Sequence, residues 1–117
     1  MIAEQKMFDL SFLEEMDDTN FLIQVIGLYL EDTPKDLAEM KQALDIPDAG
    51  IIARSAHKLK SSTGMLQATK LHTLLEQTEI TAKAGEVSPQ LFQLVNEAQE
   101  EFNNLKGALQ LHLETLR

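Results

Sequence analysis

The segment Asp48–Leu66 reads DAGIIARSAHKLKSSTGML, and the recurrence of its apolar residues every three or four positions is typical of an amphipathic helix. Five of its residues recur in steps of four and three, so their directions fall within roughly 40° of one line on a helix. They are Ile52, Ala56, Leu59, Thr63 and Leu66. We therefore predict a helix from Ala49 to roughly Leu66 with one buried face, and Asp48 as its N-cap.

His57 lies on the other side of this predicted helix. Its direction is about 140° from the centre of the apolar face, so the ring is expected to face solvent or a groove. Its neighbours on the helical surface are Ala53, Lys60, Ser61 and Gly64. The small residues leave room for a partner surface to approach, and Lys60 supplies a positive charge for an arriving anion.

The same region differs from the rest of the chain in charge. Residues 49–75 contain no Asp or Glu and carry a net charge of +4, whereas the whole chain of 117 residues carries −9. The overall negative charge argues against nucleic acid and anionic lipid as main partners, because both require a positive surface. A histidine on a locally basic helix favours a site where a phosphate group arrives. A solvated surface histidine is the ordinary alternative.

The N-terminal part of the chain also has helical periodicity. A short helix is predicted over residues 12–16 with Ser11 as its cap. A long helix is predicted to begin after Thr19, its cap, and to end at residues 46–48. Pro34 falls inside it, which indicates either a kink or two helices in line.

Two more helices are predicted in the C-terminal half. One covers residues 68–84 and ends at Gly85, which is a favourable residue after a helix. The last begins at Ser88-Pro89, a cap followed by proline at the first helical position, and continues to about Leu116.

Four long amphipathic helices with short connections predict an all-α fold, an antiparallel four-helix bundle with a short additional N-terminal helix. The length predicts one domain over residues 1–117. The chain has no Cys, no signal-peptide pattern and no apolar run long enough to span a bilayer, which favours a cytoplasmic location. The starting Met and the uninterrupted bundle favour a free-standing protein over a piece of a larger kinase.

The sequence around His57 resembles the histidine phosphotransfer (HPt) domains of bacterial two-component phosphorelays. The signature of that family is roughly Ala-His-x-Leu-Lys-(Gly or Ser)-Ser-(Ser or Ala), and residues 56–63 read AHKLKSST. The order of the helices also matches, as does the Asp32-Thr33-Pro34 step in the second helix. Ser61 and Gln67 stand where the family commonly has Gly, and Gly64 is expected to supply some of the flexibility that Gln67 lacks.

The resemblance implies a role for three residues. His57 would be the phosphorylated residue, and Lys60 would offset the charge of the phosphoryl group. Glu79, 22 residues beyond the histidine, would accept a hydrogen bond from the imidazole and orient it. Glu79 lies about 80° from the apolar line of its own helix, at the border of the buried face, so an exposed glutamate is the alternative.

The resemblance implies that this domain is a phosphocarrier rather than a complete enzyme. Its partners would be response-regulator receiver domains and sensor or hybrid histidine kinases. No cofactor is expected on this chain, because it has no Gly-rich phosphate loop and no Glu-x-x-His pair, and Mg²⁺ is expected on the receiver. His72 and His112 are expected at the surface without a role.

The surface that binds the partner is expected to be a small apolar patch near the histidine. The candidates, besides Ala53, Ser61 and Gly64, are Phe12, Leu13 and Met16 in the first helix and Phe21 and Leu22 at the start of the second. Core packing under the end of the bundle is the alternative for these apolar residues.

The predicted function is that of a phosphorelay intermediate. It would accept a phosphoryl group from a receiver phospho-aspartate onto His57 and pass it to another receiver aspartate. A non-catalytic adaptor bundle that binds a partner helix or domain is the main alternative. A small hydrolase with His57 as general base is a further alternative, although the sequence shows neither an obvious nucleophile nor a second carboxylate near His57.

Overall fold

The computed structural model describes residues 7–117, which form five α-helices joined by short turns. They are α1 (Ser11–Glu14), α2 (Thr19–Asp45), α3 (Ala49–Met65), α4 (Thr69–Ala82) and α5 (Pro89–Leu116). Helix α2 packs on α3, α3 on α4, α4 on α5, and α5 returns to α2, with α1 against α2. The predicted all-α bundle with a short N-terminal helix is confirmed. Residues 1–6, which include the starting Met, lie outside the described part.

Helix α1 differs from its prediction at both ends. Ser11 is its first residue rather than its cap, and the Ser11 backbone N–H donates to the Asp9 carboxylate at 2.9 Å. The helix stops at Glu14, and Asp17 adopts a φ of 49° in the turn that follows. Met16 therefore lies in a turn and not in the helix.

Helix α2 begins one residue earlier than predicted. Asp18 is the N-cap, and its side chain accepts the backbone N–H of Phe21 at 3.0 Å. Asp and Thr are both good caps, and the carboxylate here takes the role that the prediction gave to Thr19. The helix continues through Pro34 as a single element, although proline offers no N–H to the turn before it.

The predicted ends of α3 and α5 are confirmed to within one residue. Asp48 accepts the backbone N–H of Ile51 at 3.1 Å, and Ser88 accepts that of Leu91 at 3.2 Å. Gly85 follows α4 with a φ of 91°, a backbone conformation that costs glycine little.

The turn between α3 and α4 holds a left-handed residue that is not glycine. Gln67 has a φ of 50°, and its N–H donates to the Gly64 carbonyl at 3.0 Å. Gly64 itself stays within α3. The expectation that Gly64 would supply the flexibility of this turn is therefore wrong, because Gln67 adopts the strained conformation itself.

The predicted buried face of α3 is confirmed, since all five of its residues are buried. Thr63 is the polar member, and the Tyr29 hydroxyl of α2 lies 2.8 Å from its Oγ1. The Tyr29 ring packs edge-on against Phe102 of α5, with centroids 6.0 Å apart. The bond between Tyr29 and Thr63 helps to set the rotation of α3 about its own axis, and with it the side that His57 faces.

No helix within residues 7–117 is long and apolar enough to cross a membrane.

Candidate functional site

His57 projects from α3 on the side opposite the buried face, as the helical geometry predicts. Its side chain is 66% exposed. Ala56, the residue before it, is completely buried, so the change from core to surface takes place within one residue of the helix. The imidazole can therefore be reached from solvent by a large partner.

One nitrogen of the His57 ring is engaged by α4. Nδ1 lies 2.8 Å from Oε2 of Glu79. An ionised carboxylate has no proton to donate, so the ring must carry its proton on Nδ1 and donate it to Glu79. When the ring is neutral, this tautomer leaves the lone pair on Nε2.

Glu79 binds two lysines as well as the histidine. Lys60 Nζ lies 2.9 Å from Oε1, and Lys83 Nζ lies 3.2 Å from Oε2. The hydrogen bond from Lys60 is the largest cause that lowers the pKa of Glu79 to about 2; Lys83 and His57 add to it, and burial opposes it. The same contact raises the pKa of Lys60 above its usual value. Glu79 is therefore ionised throughout the physiological pH range.

The position of Glu79 follows from the packing of α4. The apolar face of that helix includes Leu71, Leu75 and Ala82, all buried against the bundle. Glu79 is at the edge of this face, where α4 meets α3, and only 4% of the residue is exposed. The alternative of an exposed helix glutamate is therefore wrong.

Lys83 was not found by the sequence reasoning. It follows the last residue of α4 and lies four residues after Glu79, a spacing that brings two helical side chains together. That spacing was visible in the sequence, but it becomes informative only once Glu79 is known to contact His57.

The side chain of Lys58, the residue after His57, points towards α2 and away from Glu79 on α4. Its Nζ lies 3.3 Å from Oδ1 of Asp36 on α2. The basic residues around the histidine thus divide between two seams of the bundle. Lys60 and Lys83 border α4, and Lys58 borders α2.

The predicted apolar patch is present only in part. Phe12 (52%), Met16 (57%) and Phe21 (38%) are exposed. Leu13 (1%) and Leu22 (5%) belong to the core, so their assignment to a partner surface is wrong. Each lies beside an exposed phenylalanine but faces inward.

Two of the exposed apolar residues that the sequence analysis did not consider line one groove. Leu28 of α2 and Met65 of α3 line a groove of about 260 Å³ between these helices, together with Val25 and Lys58. Met65 is eight residues after His57 and shares its outer side of α3, about 80° away in direction. The groove is therefore on the α2 side of α3, and Met65 is about two helical turns beyond the histidine.

The small residues near His57 are accessible to different extents. Ser61 and Gly64 are exposed, and Ala53 is half-buried. A Cβ on Gly64 would lie 3.4 Å from Cδ2 of His72, so α4 approaches α3 closely at this point. His72 and His112 are half-buried rather than fully at the surface, and the His112 ring packs edge-on against Phe8.

Two sequence relatives are sensor proteins. The sensor protein EvgS of Escherichia coli K12 is 26% identical over 89 residues, which is 76% of this chain. The EvgS protein of Escherichia coli O157:H7 is 22% identical over 107 residues, or 90% of this chain. The chain spans only 7% and 9% of the length of those two proteins.

Two solved structures share the fold. The histidine-containing phosphotransfer protein B of Pseudomonas aeruginosa PAO1 superposes with a TM-score of 0.89 at 20% identity, covering 97% of this chain and 100% of that one. The HPT domain of a sensor hybrid histidine kinase from Shewanella superposes with a TM-score of 0.79 at 15% identity, covering 93% and 95%.

The family described as the Hpt domain matches residues 24–117. This range contains the whole cluster of His57, Lys60, Glu79 and Lys83. The chain belongs to the Hpt domain family, the phosphotransfer carriers of phosphorelays.

Proposed function

We propose that His57 is the residue on which this carrier holds the phosphoryl group. It accepts the group from the phospho-aspartate of a response-regulator receiver domain and passes it to an aspartate of another receiver. The observation that supports this best is the 2.8 Å hydrogen bond from Nδ1 to Glu79 on a ring that is 66% exposed. One nitrogen is held by the protein, and the ring remains open to a partner.

In the accepting step, the Nε2 lone pair of His57 attacks phosphorus while the bond between phosphorus and the aspartate oxygen breaks. The aspartate leaves as a carboxylate, and the ring keeps its proton on Nδ1. The phosphorylated ring is then positively charged, and the Glu79 carboxylate stabilises this charge. Donation to the second receiver reverses the same bond changes.

Phosphoryl transfer depends mainly on positioning and on the neutralisation of charge. Glu79 supplies the positioning, because a buried carboxylate held by Lys60 and Lys83 fixes the imidazole before the partner arrives. We propose that the domain has no ATP site or cofactor of its own, and that Mg²⁺ is supplied by the receiver domain. It is thus a carrier that cannot phosphorylate itself.

The relatives support the class of partner. They include two sensor proteins and the HPT domain of a sensor hybrid histidine kinase. We propose that sensor or hybrid histidine kinases and receiver domains are the partners in the cytoplasm, with neither nucleic acid nor membrane among them. The exposed Phe12, Met16 and Phe21, and the groove at Leu28 and Met65, are the proposed docking surface.

The test is the transfer of label from phosphorylated receiver domains. Receivers of the source genome are phosphorylated with radiolabelled acetyl phosphate and mixed with the protein. We expect label that is stable in base and labile in acid, and that is absent from His57→Gln. His72→Gln is the matched control, and we expect it to be labelled as the wild type is. An adaptor bundle would take up no label from any receiver.

A further inference from the structure

We propose that Lys83 is the lysine that binds the phosphoryl group on His57, whereas Lys60 is a positioning residue that keeps Glu79 in place. This inference rests on the proposed phosphorylation of His57. It divides between two residues a task that the family resemblance assigns to Lys60 alone. The grounds are the different ways in which the two lysines bind one carboxylate.

The two lysines bind different oxygens of Glu79. Lys83 Nζ contacts Oε2 at 3.2 Å, and this is the oxygen that also accepts the His57 proton. Lys60 Nζ contacts the other oxygen, Oε1, at 2.9 Å. A single oxygen atom therefore separates the Lys83 ammonium from the hydrogen-bonded ring nitrogen, whereas the whole carboxylate separates Lys60 from it.

The two lysines also differ in exposure. The side chain of Lys60 is 26% exposed, and that of Lys83 is 66% exposed. If Lys60 left Glu79, a carboxylate that is only 6% exposed would lose its shortest bond to a cation, which is costly in a buried setting. Lys83 is the more exposed of the two lysines, so water can reach its ammonium, and its departure from Oε2 leaves Glu79 paired with Lys60.

The backbone places Lys83 one helical turn after Glu79. The Lys83 N–H donates to the Glu79 carbonyl at 3.0 Å, so the residue completes the last turn of α4 on the same side as Glu79. Its side chain is solvated beyond that point. The ammonium can therefore swing from Oε2 to a phosphoryl oxygen without any rearrangement of the helix.

Phosphorylation creates a need for such a cation. The phosphoryl group on Nε2 and the carboxylate on Nδ1 are two anions on one imidazole ring. With Lys60 retained on Oε1, Glu79 stays neutralised and continues to hold Nδ1. Lys83 is then free to neutralise part of the phosphoryl charge, which both lowers the barrier to transfer and favours the phosphorylated state.

The test is a ³¹P NMR titration of the protein phosphorylated on His57 with phosphoramidate. A cation bound to the phosphoryl group stabilises its dianion, so its removal raises the pKa of that group. We expect Lys83→Met to raise the midpoint of the phosphoryl titration by about half a pH unit or more, and Lys60→Met to raise it less. We also expect Lys83→Met to slow transfer from a phosphorylated receiver about ten-fold.

A second readout separates charge from positioning. The Nδ1 proton resonance of His57 reports its hydrogen bond to Glu79. In the phosphorylated protein, where Lys83 has left Oε2 for the phosphoryl group, Lys60→Met is expected to shift this resonance more than Lys83→Met does. Lys83→Arg is expected to restore wild-type transfer. Lys106→Met, on an exposed part of α5, is the control and should change none of these quantities.

Two results would overturn the assignment. One is an unchanged phosphoryl midpoint in Lys83→Met, and the other is a larger rise in Lys60→Met than in Lys83→Met. Both require that the wild type is phosphorylated on His57, so they contradict the inference while leaving the proposed function intact. A wild-type protein that is not phosphorylated on His57 would contradict both this inference and the proposed function.

Discussion

The hydroxyl groups of Tyr29 and Thr63 lie 2.8 Å apart in the interior, where they join α2 to the face of α3 opposite His57. Thr63 is fully buried, and Tyr29 is 6% exposed. A buried hydroxyl that loses its partner keeps its desolvation cost. The pair therefore helps to set the rotation of α3, and with it the outward direction of the histidine.

This contact predicts a loss of stability in Tyr29→Phe. The change removes one hydroxyl and leaves Thr63 with no tyrosine partner, so we expect the free energy of unfolding to fall by about 1–2 kcal/mol. Urea unfolding monitored by circular dichroism measures it. The double variant Tyr29→Phe/Thr63→Val removes both partners and should be more stable than the sum of the single variants implies. Strict additivity would show that the two hydroxyls do not interact.

The ionisation of Tyr29 gives a second prediction. Burial is the main cause that raises its pKa to about 12, against the opposing hydrogen bonds from Thr63 and Thr33. Because folding raises this pKa above its usual value of 10, the protonated Tyr29 side chain contributes to the free energy of unfolding. This contribution is complete below pH 10 and is lost as the pH rises from 10 to 12. Tyr29 is the one tyrosine of the chain, so phenolate absorbance follows it alone. A native midpoint near pH 10 would contradict the burial.

Because Glu79 is ionised in the folded protein, we expect the stability of the fold to decrease at acidic pH. Its pKa falls from 4.5 to about 2 in the folded protein, so its contribution is present above pH 4.5 and is lost as the pH falls towards 2. At pH 7 we expect Glu79→Gln to be less stable than the wild type by about 1–2 kcal/mol. Unfolding in urea at pH 7 and at pH 2 tests this. A gap between the two proteins that is equally wide at both pH values would count against the role of the charge.

The neighbouring Glu76 is the matched control for this experiment. It is exposed on the same helix and has the same side chain. Glu76→Gln should change stability at pH 7 by only a few tenths of a kcal/mol, as is usual for exposed charges.

The sequence predicted those parts of the fold and site that depend on one helix at a time. The spacing of Ile52, Ala56 and Leu59 gave the buried face of α3, and the outward direction of His57 followed from the same turn angle. Asp48 and Ser88 were found as caps because each precedes a clear helical pattern. Local chemistry was sufficient for these two caps, although it placed the cap of α2 at Thr19 instead of Asp18.

The resemblance placed Glu79 beside His57, but how deeply Glu79 is buried and what else binds it depend on contacts between helices. The burial of Glu79 is set by how closely α4 approaches α3, and the contact of Lys83 with the same carboxylate depends on that approach. Leu13 and Phe12 are adjacent apolar residues in a four-residue helix, which is too short for periodicity to decide which one faces inward. Only the packing of α1 against α2 distinguishes them.

We expect a glycine in the turn after α3 to increase the stability of the protein. Gln67 has a φ of 50°, a conformation that costs a residue with a Cβ more than it costs glycine. We expect Gln67→Gly to raise the free energy of unfolding by about 0.5–1 kcal/mol, because relief of this strain exceeds the added flexibility of the unfolded chain. Gln67→Ala is the control, since it removes the side chain but keeps the Cβ, and it should show no gain.

We expect substitutions of the adjacent residues Phe12 and Leu13 to affect different properties, transfer in the first case and stability in the second. Leu13 is 1% exposed, so Leu13→Ala should destabilise the fold by about 2–4 kcal/mol through the cavity that it leaves. Phe12 is 52% exposed, so Phe12→Ala should leave stability within about 0.5 kcal/mol of the wild type.

If the exposed side of α1 contacts the receiver, Phe12→Ala should instead raise the receiver concentration that gives half-maximal transfer to His57. Stability from urea unfolding and transfer at a series of receiver concentrations measure the two effects separately. Unchanged transfer in Phe12→Ala, with the fold intact, would remove α1 from the docking surface and leave the groove at Leu28 and Met65 as the remaining candidate.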